Sequence, residues 1–171
     1  MIPPRRRPSL LCAALALTTA AGCASAEETA ARPAPHPTGR QAQYCRALAK
    51  ELPDSVGGLP RRTPSREASE FTAAWGRPGK ATIVLRCGGD KPAVLTPDDA
   101  RYDPYGPRWE VAGIDWMPEQ QPDGGVRCTA TRREAWVEVT VPREYTGEGG
   151  GLDMLTGVSE AIRNTVPFGQ L

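Results

Sequence analysis

Five short runs between residues 71 and 141 limit the folded part of this chain to a sheet of short strands, because glycine, proline or polar loops cut each of them off. They are Phe71–Trp75, Ala81–Cys87, Trp109–Met117, Val126–Thr131 and Ala135–Val141. In the second run Ile83, Leu85 and Cys87 share one face, with Thr82, Val84 and Arg86 on the other. In the last, Val137, Val139 and Val141 point inward, and Glu138 and Thr140 point outward. Gln121-Pro122-Asp123-Gly124-Gly125 reads as a hairpin turn.

Two helical patterns flank these runs. Thr38-Gly39-Arg40-Gln41 fits a capping box, and Ala42, Cys45, Leu48, Ala49 and Leu52 behind it form an apolar stripe closed by Pro53. Residues 54–68 read as loop. Leu152 to Val166 carries Leu155, Val158, Ile162 and Val166 at helical spacing, with Pro167 as the stop. Short connections favour antiparallel pairing. The expected fold is therefore α+β: an antiparallel sheet of about five strands with an N-terminal and a C-terminal helix on one face.

The amino terminus reads as an export signal. Arg5-Arg6-Arg7 precede Leu10–Ala21, an uncharged stretch of 12 residues. A stable membrane span needs roughly 20. Ala20-Ala21-Gly22-Cys23 resembles a bacterial lipobox, with Ala20 where Leu is preferred, and makes Cys23 the expected lipidated N-terminus. Ala24-Ser25-Ala26 offers ordinary signal peptidase an alternative cut, which would give a secreted, unlipidated protein. The expected organisation is a lipoprotein signal peptide over residues 1–22, a lipidated Cys23 with a Pro-rich spacer to residue 40, and one α+β domain over 41–171.

Charge argues against nucleic acid as a partner. Of 21 basic residues 18 are Arg, a bias that fits GC-rich coding; removing residues 1–22 leaves 18 basic against 20 acidic residues, a formal charge of −2. Nothing in that balance attracts a phosphate backbone.

Cys45, Cys87 and Cys128 remain in the domain, all on apolar faces. Outside the cytoplasm two of them are expected to pair, with Cys45–Cys87 and Cys87–Cys128 as the two choices. No C-x-x-C is present, so a thioredoxin-like redox pair is missing.

Ser69 to Gly88 (SEFTAAWGRPGKATIVLRCG), together with Tyr44–Leu48, Leu59–Arg62, Val111–Trp116 and Val137–Pro142, resembles the signature of an actinobacterial family of exported proteins, domain of unknown function 3515. The likeness covers essentially residues 43–168. It implies a lipoprotein or membrane-tethered envelope protein and cysteines matching Cys45 and Cys87, which favours that pairing and leaves Cys128 as the odd thiol. The family has no established activity, so no functional residue is carried over.

Catalytic chemistry finds little footing. His36, the only histidine, lies in the spacer, so a Ser-His-Asp or Cys-His centre lacks its base. Three dispersed cysteines are poor zinc ligands, and no phosphate-binding glycine motif occurs; no metal and no cofactor are expected. The glycine-rich run Gly147–Gly151 before a helix more often connects than binds. Asp98, Asp99, Asp103, Glu110 and Asp115 are the carboxylates open to acid–base work, Asp115 standing out between Ile114 and Trp116 in a strand. Four tryptophans are many for so small a domain. With arginines such as Arg133, they suggest a recognition surface drawn from Arg62, Trp75, Arg86, Asp115, Trp116 and Trp136. The sequence thus points to an envelope lipoprotein on the outer face of the membrane. Its domain is expected to be a non-enzymatic module for an envelope protein or glycan, with a carboxylate-based cell-wall enzyme as the alternative.

Overall fold

The computed structural model describes residues 32–64 and 69–169; the expected signal peptide, Cys23 and most of the expected spacer lie outside them. Helix α1 (Gly39–Glu51) buries Ala42, Cys45 and Leu48, as the stripe requires. Thr38 stands at its N-cap in an extended conformation, but its side chain makes no capping hydrogen bond, so the capping box is not formed. The stretch expected as loop holds a hairpin, β1 (Ser55–Val56) and β2 (Leu59–Pro60), around Gly57-Gly58. Both glycines have positive φ, +54° and +74°, which a two-residue hairpin turn demands and other residues resist. Val56 and Leu59 are thereby buried.

The main sheet has six strands. They are β3 (Thr72–Trp75), β4 (Ile83–Cys87), β5 (Trp109–Val111), β6 (Ile114–Gln120), β7 (Val126–Ala130) and β8 (Val137–Val141). Five runs became six strands because Ala112-Gly113 folds the third back on itself as a two-residue hairpin. The order is β3-β4-β8-β7-β6-β5, every pair antiparallel. The expected α+β architecture is what forms, with the last strand in sequence near the middle of the sheet.

That order has a topological consequence. β4 lies beside β8, whereas β5 lies at the far edge. After Cys87 the chain must therefore cross β8, β7 and β6. One face is already taken: α1 covers β4, α2 (Thr156–Thr165) packs on α1 and β6, and Val137, Val139 and Val141 are fully buried beneath them. The crossing segment 88–108, which includes a 3-10 turn at Ala93–Leu95, passes over the second face instead.

Residues 32–38, within the expected spacer, lie against the sheet. Pro35 is buried, and Pro37 lies so close to Gly88 that a Cβ there would come within 2.4 Å of it. A Cβ on Gly150 or Gly151, in the run considered as an anion cradle, would come within 3.1 Å of Trp109 or Val141 respectively, so both serve close packing.

The disulfide joins Cys45 of α1 to Cys87 of β4, 42 residues apart, and Cys128 is a buried free thiol. No helix among the described residues is long and apolar enough to cross a membrane. Closing a loop of that separation contributes about 4 kcal/mol in chain-entropy terms. A C45S/C87S double variant should lose about that much in guanidinium unfolding, with a raised m-value because the uncrosslinked denatured chain exposes more surface; a loss under 1 kcal/mol would contradict it.

Candidate functional site

Strand alternation places Arg86, Glu138, Thr129 and Met117 in one row across the second face, each opposite the next on a neighbouring strand. The adjacent row runs Val84, Thr140, Arg127, Glu119. Charge thus sits at the centre of a sheet that the crossing segment and residues 32–38 cover. A buried carboxylate is tolerated only when paired.

Both glutamates are paired. Arg127 forks onto Glu119, with Nε donating to Oε2 at 3.2 Å and Nη2 to Oε1 at 2.9 Å. Glu138, its side chain 9% exposed, holds two guanidiniums. Arg86 Nε lies 3.2 Å from Oε1 but off the line of a hydrogen bond, so that attraction is electrostatic. Arg32 donates to the same oxygen. Arg86 in turn donates to the main-chain carbonyls of Arg32 and Pro33 and so fastens the N-terminal strap to the sheet. Burial lowers the Arg86 pKa, Glu138 opposes that, and Arg32 adds to it by repulsion.

Between this floor and the crossing segment lies a cavity of about 350 Å³. Glu119, Arg127 and Glu138 form its floor, Arg32 one wall, and Asp90–Ala93, Thr96, Asp99 and Arg101 its roof and lip. Asp99 is held below the usual carboxylate range by hydrogen bonds from the Arg101 side chain and backbone. Asp90 and Lys91 make no ion pair among the described residues. A second cavity of about 200 Å³ lies along the same face, among Arg86, Gln121–Asp123 and Thr140. Arg32 and Arg127 line both.

The surface expected from the sequence is not one surface. Trp75 and Trp116 are wholly buried, their indole N–H groups donating to Pro53 O and Ser159 Oγ, both at 2.9 Å, and Trp136 is 8% exposed. Trp75 and Trp116 are core residues whose polar tips found partners. Arg62 is exposed and donates to Thr82. Asp115 pairs with Arg132 at the Ala112-Gly113 end of the sheet, where Arg133 ties Val166 and Gly113 through their carbonyls. Of the six, Arg86 alone lines a cavity of the second face.

Glu119, Arg127 and Glu138 escaped the reading because they are ordinary outward positions in alternating strands. The signal available was the long polar segment after Cys87, which had to cover something. Cys128 is no nucleophile: burial, and secondarily Glu119, pushes its pKa up to about 12. No group of three His, Cys, Asp or Glu residues among those described is arranged to hold a metal. The arrangement suits recognition of a charged ligand, since both carboxylates of the floor are already held by guanidiniums in fixed geometry.

An α+β domain with a roofed, charged basin on its second face is the class this geometry defines. The chain belongs to the family described as protein of unknown function (DUF3515), whose profile matches residues 9–171. A search of curated proteins found no match, and neither did a search of solved structures.

Removing Glu138 leaves Arg86 buried without its counter-charge, so E138A should cost about 3 kcal/mol in chemical denaturation. Thr129, opposite Glu138, is 1% exposed and its hydroxyl has no hydrogen-bond partner among the described residues. T129V should therefore leave stability unchanged or raise it by about 1 kcal/mol; a loss above 1 kcal/mol would show that the hydroxyl is satisfied in solution.

Proposed function

We propose that this chain is an exported cell-envelope protein, held outside the membrane by a lipid on Cys23, whose domain binds a polar envelope component without transforming it. The observation that carries the binding reading is the basin: a sheet face that could have been plain solvated surface is instead roofed and lined with charge of both signs. Pockets of this kind fix a ligand by a few well-placed polar groups. The export reading draws support from the lipobox-like sequence at Cys23 and from the disulfide, which suits an oxidising compartment.

Each half has its own test. Mass spectrometry of the mature N-terminus from a lipoprotein-processing bacterium should find a diacylglyceryl Cys23, and C23S should move the protein from the membrane to the soluble fraction. A mature start at Glu27 without lipid would contradict anchoring. A photo-crosslinking residue at Ala93, on the basin roof, should capture an envelope component in intact cells. One at Glu160, exposed on α2, should not; capture at Glu160 alone would move the binding face to the helices.

A further inference from the structure

Arg32 and Arg86 share one carboxylate oxygen of Glu138 but are held very differently. Arg86 is 12% exposed, rises from the neighbouring strand in register with Glu138, and is anchored by packing. Arg32 reaches in from the strap, is 46% exposed, and is repelled by Arg86. Of the two cations on Glu138, Arg32 is the replaceable one. Its side chain, like that of Arg127, lines both cavities of the second face. Moving it aside would widen the space over the floor and leave a buried carboxylate that has already accepted a second cation.

Resting on the reading of the basin as a binding site, we propose that Glu138 is a cation subsite occupied in the resting chain by Arg32. The ligand would be a small zwitterion: its guanidinium or ammonium group replaces Arg32 on Glu138, and its anionic group meets the cations of the basin. Lys91, which has no ion-pair partner among the described residues, and Arg101, exposed at the lip, supply that second half. The strap limits affinity in the native chain, because a tethered competitor acts at an effective concentration of the order of millimolar. A ligand bearing only one charge gains only one of the two contacts. A neutral one gains neither, while still needing Arg32 displaced from a buried acid.

The test uses the full chain and 4-guanidinobutyrate, which carries both charges, with propylguanidine and butyrate as single-charge controls, by isothermal titration calorimetry. R32A should bind 4-guanidinobutyrate at least tenfold more tightly than wild type. Adding E138Q to R32A should abolish the binding, and the controls should bind neither protein measurably. Should E138Q compromise folding, R32A/K91E provides the second variant on an exposed side chain, and should weaken binding about tenfold. No gain in R32A, equal binding by a control, or no effect of K91E would overturn the proposal. If that happens while crosslinking at Ala93 still captures an envelope component, the basin binds but not by exchange with Arg32. If both fail, the binding reading falls with it.

Discussion

Glu138 puts a negative charge in the middle of a sheet that is covered on both faces, and much of the second face is arranged around that fact. The strand bearing it, β8, presents three valines to the helices and one glutamate to the other side. Water reaches that carboxylate poorly, so cations must stand in for solvent. Arg86 comes from the adjacent strand at the matching register, and its remaining donors take two carbonyls of the N-terminal strap. The strap in turn brings Arg32. A single buried acid thus links strand pairing, strap position and the lining of the basin.

The covering itself follows from strand order. Because β8 inserts between β4 and β7, the connection from β4 to β5 has to traverse the sheet, and the helices leave only one face for it. A domain with β5 beside β4 would have left the same charges in open water, where pairs contribute little. The topology, more than any motif, turns surface residues into a site.

How much of this the residues disclosed divides along the same line. Local periodicity was enough for α1, α2, the core faces of the strands and the α+β class, because each depends on neighbours in sequence. The hairpin at Gly57-Gly58 was readable from its two glycines but was hidden in a Pro- and Arg-rich stretch. The turn at Ala112-Gly113 was overlooked because Val111 and Ile114 continue the apolar run across it. The tryptophans misled for a different reason: Trp75 and Trp116 are amphipathic, and only tertiary partners such as Pro53 O and Ser159 Oγ reveal that their polar tips are satisfied inside. Glu119, Arg127 and Glu138 were invisible because alternation gives a residue's side of the sheet, not what lies over that side.

The central claim is that Glu138 and Arg86 are a desolvated, mutually dependent pair. A double-mutant cycle with R86A, E138A and R86A/E138A, read by guanidinium unfolding, measures that dependence directly. A coupling energy of about 1–3 kcal/mol is expected for charges so enclosed. Additivity within about 0.3 kcal/mol would mean that both groups are solvated, that the second face is open, and that the roofed basin does not exist in solution.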